Sequence, residues 1–273
     1  MKLLFASYLS GVCVSIIALF NGVKAERGLA VLQVGHVRIA SLSQAEAVAR
    51  LGMQLAKHEH LKLAFANSHV VNVAARDPGY RVALEEFLVL PDGIGVDLGA
   101  RILHGVPFCD NLNGTDFVPA LLSAMQPSLK VGLYGARPGV ADRACLAFAR
   151  QASHHSYHVF GHGFQDAAEE AAMLERLEAE KPDLLLVAFG NPRQEMWIAG
   201  RVDARHCTIA AGVGALFDFM AGEVPRAPLW LRQLKLEWLF RLVNEPRRLW
   251  RRYILGNPRF MVRVLRQRMT GRP

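Results

Sequence analysis

The chain has 273 residues, 52% of them hydrophobic and 21% charged, with a formal net charge of +8. This composition excludes a mainly disordered chain, and the length suffices for one large domain or two small ones. A multi-span membrane protein is also excluded, since only one stretch, near the N-terminus, is apolar for long enough.

That stretch, residues 3–20 (LLFASYLSGVCVSIIALF), carries no charge and follows Lys2. Three readings of residues 1–25 stand. A signal peptide would use Val23-Lys24-Ala25 as its small-residue cleavage site. A membrane anchor would be borderline, because about 20 apolar residues are needed to span. The third reading is an extension upstream of the functional domain, through a misassigned start. Lys2, Lys24 and Arg27 set no orientation. The cysteines (Cys13, Cys109, Cys145, Cys207) form no CxxC pair, so neither a zinc site nor a disulfide framework is expected.

After Arg27, short β-type runs alternate with helical periods. The runs predict strands at 30–34, 61–67, 87–90, 129–134, 156–160, 184–190 and 207–211. Several are almost continuously apolar, as strands covered on both faces are. Helices are predicted at 43–57, 94–104, 115–126, 138–151, 166–180 and 193–204. Asp142 and Asp166 sit at or near helix starts, and Pro138 and Pro192 fit first helical turns. The alternation predicts an α/β body over 28–222, a mainly parallel Rossmann-like sheet with flanking helices.

In such sheets ligands bind at the loops that leave the carboxyl ends of the strands. Those loops are glycine-rich here: Asp92-Gly93-Ile94-Gly95, the stretch around Gly135, Gly161-His162-Gly163, the run Gly190-Asn191-Pro192-Arg193-Gln194-Glu195, and Gly212-Val213-Gly214. Glycine lets backbone N–H groups approach a phosphate, and a following helix start favours its charge. One such loop says little, but five at successive strand ends point to a nucleotide-type ligand. A dinucleotide enzyme fits less well, because Gly135-Ala136-Arg137-Pro138-Gly139 lacks the GxGxxG spacing.

Two readings of Asp92 stand, a base that takes a proton from an attacking hydroxyl or a cap for the helix near Ile94. For Asp116, in Asn113-Gly114-Thr115-Asp116, capping is favoured. The histidines at 154, 155, 158 and 162 lack ligand-pair spacing, so no metal is expected on them. His162, between two glycines at a strand end, is kept as a ligand contact.

Residues 223–273 read as a basic, amphipathic helical appendage. From 225 onward there are twelve Arg and Lys235 against Glu237 and Glu245, a net of +11 that leaves −3 for the rest. Leu249, Trp250, Tyr253 and Ile254 are predicted to share one face, and Phe260, Met261, Val264, Leu265 and Met269 another. Basic helices with such stripes suit a membrane surface, or packing on the body with a solvated arginine face. Nucleic acid is the least favoured partner, since no reading motif is present.

Several stretches resemble the WecG/TagA/CpsF family of bacterial glycosyltransferases (glycosyltransferase family 26). They are LPDGIGVDLGARILHG (90–105), NGTD (113–116), GLYGARPGV (132–140), GHGF (161–164) and LLLVAFGNPRQEMWI (184–198). GVGALFDFMAGEVPRAP (212–228) and EWLFRLVNEPRRLWRRYILGNPRF (237–260) complete the set, and the resemblance covers roughly residues 30–268.

The resemblance implies inverting transfer of a sugar from a UDP-sugar donor to a polyprenyl-diphosphate-linked acceptor, in surface-polymer synthesis at the cytoplasmic face of the inner membrane. It implies Asp92 as general base and Asn67 near the acceptor hydroxyl. Phe65 stands where the family has Thr, so a supporting hydroxyl is not expected there. Gln194 and Glu195 fall beside the nucleotide, with Gly135, His162, Asn191 and Arg193 as further contacts. Arg247, Arg248 and Arg251 of the appendage are candidates for the diphosphate or an anionic membrane surface. No DxD motif occurs, so no metal or other cofactor is expected. A UDP-sugar donor is cytoplasmic, which favours an anchor or a misassigned start over export for residues 1–25. The alternative is a nucleotide-sensing, membrane-docked binding protein without transferase activity.

Overall fold

The first strands, β1 (Val31–Val34) and β2 (Val37–Ala40), pair antiparallel as a separate hairpin, with Val34 opposite Val37. The strand expected at 30–34 is therefore real but misplaced, since its partner is β2 and not the parallel sheet. Gly35 turns the hairpin with φ +59, and its N–H donates to Gln267 Oε1 at 2.9 Å. In the computed structural model, residues 29–228, 231 and 237–273 are described. The segment 1–25 and the Arg248 side chain lie outside the described residues.

The remaining strands form one six-stranded, all-parallel sheet. These are β3 (Leu61–Ala66), β4 (Phe87–Pro91), β5 (Lys130–Gly135), β6 (Ser156–Gly161), β7 (Leu184–Ala188) and β8 (Ile209–Gly212), in the order β4-β3-β8-β7-β5-β6. Every residue of β7 and β8 is buried, as the unbroken apolar runs predict for central strands covered on both faces. The chain leaves β3 in one direction along the sheet and β5 in the other. The switch opens a crevice above the carboxyl ends of the central strands.

Helices cover both faces. α1 (Gln44–Lys57) starts at Ser43, which forms a capping box with Glu46. α2 (Ser68–Ala74) and α3 (Pro78–Leu84) were not predicted; each spans seven residues, too short for a periodic pattern to emerge. α4 (Ile94–His104), α5 (Gly114–Ala124), α6 (Val140–Gln151), α7 (Ala167–Glu180) and α8 (Arg193–Arg201) fall where helical periods placed them. Asp166 caps α7 in a second capping box, and Asp142 lies in the first turn of α6. The two prolines sit just outside their helices. Pro138 precedes the Gly139 cap of α6, and Pro192 is itself the N-cap residue of α8, after a cis Asn191–Pro192 bond.

After the short α9 (Leu216–Met220), the described C-terminal elements are α10 (Glu237–Asn244), α11 (Pro246–Trp250), a π-helical turn over Arg251–Leu255, and α12 (Gly256–Thr270). α12 docks on the body through Phe260 and Val264, both fully buried with Val34, Val71, Val96 and Ala100. The approach is close because position 99 has no side chain: a Cβ on Gly99 would sit 3.0 Å from Phe260 Cζ and from Val34 Cγ1. Two polar bonds fix the start of α12 to α2, Asn72 Nδ2 to Gly256 O at 2.8 Å and Ser68 Oγ to Asn257 Oδ1 at 2.8 Å.

The predicted apolar faces of the appendage are both divided by this docking. Phe260 and Val264 are buried but Leu265 and Met269 face solvent; Leu249 is buried but Trp250 and Ile254 are exposed. Each helix spends part of its apolar surface on the body and shows the rest outward. Truncating Phe260 to Ala is expected to cost about 3–5 kcal/mol of unfolding free energy, read by urea titration. A loss below about 1 kcal/mol would mean that α12 is not docked in solution.

Candidate active site

The crevice above the sheet is a cavity of about 860 Å³, within the usual size of a small-molecule site. Its walls come from the loops after all six strands of the sheet, with the appendage closing one side.

Asn67 ends β3 and caps α2. Its Oδ1 accepts from the N–H groups of His69 and Val70 at 3.1 and 3.2 Å. The other end of the amide, Nδ2, donates to Asp92 Oδ2 at 2.9 Å. Asp92 follows β4, its own N–H extending the ladder to Ala66 O at 2.8 Å. The capping reading of Asp92 fails, because α4 starts from Gly93 (φ +90) with no side-chain cap. Asp92 is a half-buried cavity residue whose Oδ1 has no recorded donor among the described residues. One carboxylate oxygen is fixed and the other is left to face the cleft. Beside them, Phe65 packs edge-on to Phe117 and against Gly114, an apolar wall.

Asp116 is not itself the cap: Asn113 caps α5, and Asp116 lies in its first turn. Asn113 Oδ1 accepts from the Asp116 N–H at 2.9 Å, and the Asp116 carboxylate accepts from Asn113 Nδ2 and pairs with Arg226.

The loops after β7 and β8 are stitched together by one side chain. Gln194 Oε1 accepts from the N–H groups of Gly190 and Gly214 at 3.0 and 2.9 Å, while Nε2 donates to Glu195 Oε1 at 2.7 Å. Position 212 must be glycine, since a Cβ there would lie 2.7 Å from Gln194 Nε2. Glu195 is fully buried and lies behind the cavity wall, which corrects its expected place beside the nucleotide. It accepts from Asn191 Nδ2 at 2.6 Å and from the Tyr80 hydroxyl at 3.1 Å. Burial pushes the Glu195 carboxyl up from its ordinary value, against the opposing pull of these hydrogen bonds. Burial and the neighbouring Glu195 push the Tyr80 hydroxyl up as well.

Arg193 lines the cleft, donating to Gly163 O at 2.7 Å with its guanidinium over the Phe189 ring. Two other expected contacts are corrected. Gly135 does not line the cavity; its φ of +119 and the 2.8 Å from a built Cβ to Ala188 O show that sheet geometry demands glycine. His162 turns its Nδ1 to the Phe164 N–H at 3.2 Å and is not part of the lining, which falls to its neighbours Gly163 and Phe164. Arg251 lines the cleft, whereas Arg247 is exposed outside it.

The cleft also holds His69, Asn72, Arg76, Arg137, Asp218, Arg241, Arg252 and Arg259, none of them placed there from sequence. The signal for the first three was hidden by the missed α2. Among the described residues, no group of three or more His, Cys, Asp or Glu side chains is arranged to hold a metal ion. The cleft is thus arginine-rich, with the Asn67-bonded carboxylate of Asp92 near one end.

Over residues 32–273 the sequence matches the family described as "Glycosyl transferase WecG/TagA/CpsF family". Similar proteins include one from Bacillus spizizenii, 31% identical over 211 residues, covering 76% of this chain and 80% of the relative. Others come from Bacillus subtilis, 28% identical over 203 residues (74% and 77% covered), and Staphylococcus aureus, 28% over 207 (75% and 80%). All three carry the name N-acetylglucosaminyldiphosphoundecaprenol N-acetyl-beta-D-mannosaminyltransferase.

The buried acid gives a pH signature. Because folded Glu195 binds its proton more tightly than the unfolded chain, its contribution is full below about pH 4.3. It is then lost as pH rises through the folded value. Glu195→Gln cannot ionise, so its stability relative to the native chain should improve from pH 4.5 to 7.5, about 1.4 kcal/mol per unit of pKa difference. Urea unfolding across that range checks it, and parallel curves for the two proteins would refute it.

Proposed function

The chain belongs to the glycosyl transferase WecG/TagA/CpsF family, and on that premise we propose its reaction. A hexose or N-acetylhexosamine passes, with inversion, from a UDP-sugar to a polyprenyl-diphosphate-linked saccharide in surface-polysaccharide synthesis. The observation that carries this is the Asn67–Asp92 pair at one end of an arginine-lined cleft. The relatives' name makes N-acetylmannosamine the first donor sugar to test.

Asp92 Oδ1 takes the proton of the acceptor hydroxyl as that oxygen bonds to the anomeric carbon. The bond from that carbon to the UDP oxygen breaks on the opposite face, and its electrons leave with UDP. Negative charge grows on the departing diphosphate. Arg193, Arg137 and Arg251, with the glycine loops held by Gln194, are the groups placed to stabilise it. On this reading no metal is required. Asn67 acts as a positioning residue, holding Oδ2 so that Oδ1 is the basic oxygen presented to substrate.

Asp92→Asn should lower kcat by about 10²–10⁴-fold while the full chain still binds UDP-sugar. UDP release with N-acetylmannosamine and glucose donors measures turnover, and calorimetry measures binding. Turnover at the native rate would remove Asp92 as the base. A native chain that binds donor but never releases UDP in the presence of acceptor would favour the binding-protein reading.

The same proposal places the protein on an anionic membrane surface, at the cytoplasmic face where the donor is made. Trp250, Ile254 and Leu255 are exposed beside Arg247 and Arg251, apolar and cationic groups together. Among the described residues no helix is long and apolar enough to cross a membrane. Replacing Trp250 and Ile254 by Ser should weaken sedimentation with phosphatidylglycerol vesicles by about tenfold or more. Unchanged sedimentation would place the membrane contact elsewhere.

A further inference from the structure

Beyond the base and the donor loops, the cleft has a second concentration of charge. It lies at the α2 end, next to Asp92, and the reaction proposed above does not use it. On α2 and the turn after it, His69, Asn72 and Arg76 are spaced i, i+3, i+7, one helical face turned to the cavity. On the appendage, Arg252, Gly256 and Arg259 repeat with spacing i, i+4, i+7 and line the same cavity. The two faces are pinned together by the bond from Asn72 Nδ2 to Gly256 O at 2.8 Å.

Arginines outnumber acids there, although Asp77 also lines the cavity. Among the described residues no carboxylate forms an ion pair with Arg76 or Arg259. The nearest acid in the chain, Asp77, spends Oδ1 on the Tyr80 N–H as the cap of α3. Burial, with Arg252 and Arg76 beside it, pushes the His69 imidazole down to about 4, so near neutral pH it is an uncharged hydrogen-bonding group. Arg263, behind Arg76 on α12, is likewise pushed down by burial and by Arg76. The neighbouring guanidinium groups repel one another, and a polyanion seated among them offsets that repulsion.

Inversion decides which polyanion belongs here. The attacking oxygen and the leaving diphosphate lie on opposite faces of the sugar carbon. Asp92 marks the attacking side, at the β4 and β3 end of the sheet, whereas Arg193 and Arg137 stand at the β7 and β5 end. The donor's diphosphate therefore occupies the far loops, and a second diphosphate on the Asp92 side is the acceptor's own.

We propose that His69 and Arg76 of the body, facing Arg252 and Arg259 of the appendage, form a second diphosphate subsite that holds the acceptor's diphosphate apart from the donor's. The subsite rests on the transferase reading, and its ligand is a disubstituted diphosphate. Arg76 supplies charge-assisted hydrogen bonds, and His69 donates from a neutral ring without adding to the repulsion.

The test uses the full chain with Arg76→Ala and His69→Gln, both judged folded by a melting temperature no lower than the native one. With a short-chain prenyl-diphosphate-linked N-acetylglucosamine as soluble acceptor, KM for the acceptor should rise about ten- to a hundredfold in Arg76→Ala. His69→Gln should raise it less, and KM for the UDP-sugar should stay nearly unchanged in both. A rise in donor KM with acceptor KM unchanged would overturn the proposal, as would no change in either. A drop in sedimentation with acceptor-free phosphatidylglycerol vesicles, with acceptor KM unchanged, would make this a headgroup site and overturn it too.

A turnover-free arm separates the subsite from the reaction. Farnesyl diphosphate, titrated by calorimetry into the chain saturated with UDP, should bind the native protein and bind Arg76→Ala about tenfold more weakly or worse. Equal binding refutes the subsite even if sugar transfer is intact. Discriminating binding without any transfer supports the subsite and refutes the transferase reading alone.

Discussion

One primary amide organises the Asp92 end of the cleft. Asn67 spends its carbonyl oxygen on the first turn of α2 and its NH₂ on Asp92, so a helix start and a carboxylate are set by the same planar group. The amide cannot turn over without losing both, because its oxygen would then face the carboxylate and its NH₂ the backbone donors. The orientation of Asp92 is thus tied to the folding of α2, and α2 carries the wall on which the appendage rests.

The β7 and β8 end of the cleft relies on a different device. Two glycine loops must stay open to a ligand without collapsing onto each other, and Gln194 spaces them by accepting from a backbone N–H of each. Behind it, the fully buried Glu195 collects three donors, two from its own loop and helix start and one from Tyr80 of α3. A buried acid with neutral donors is tolerable where it takes up its proton, and the network then fixes a single loop arrangement. The two ends of the cleft are rigid for unrelated reasons, which suits a reaction needing two substrates in line.

Most of the sheet could be read directly, because apolar runs such as LLLVA mark buried parallel strands and the helices between them are long enough to show their period. The hairpin was missed because VRIA is short and has a polar residue in mid-strand. α2 and α3 were missed because two turns give no period to detect. That second omission mattered more, since it hid His69 and Arg76 from the reading of the cleft. Asp92 and Asn67 were found through the family's motifs, while local sequence left the cap and the base indistinguishable until Gly93 proved to start α4 alone. Glu195 and Gly135 sat in the right motifs for another reason. Motif residues beside a ligand and motif residues that shape the wall look alike in sequence, and only burial separates them.

The π-helical turn at Arg251–Leu255 sets a phase. Leu249 and Phe260 are eleven residues apart, a spacing that returns to nearly the same azimuth in an uninterrupted α-helix at about 100° per residue. Such a helix would turn both residues toward one neighbour. The wider i to i+5 turn holds one more residue, so the azimuth slips by about one residue's step between α11 and α12. Leu249 can then close the cleft while Phe260 enters the groove at Gly99. Chain length within this turn is therefore a geometric constant of the fold, since one helix segment addresses the substrates and the next addresses the body only at that offset.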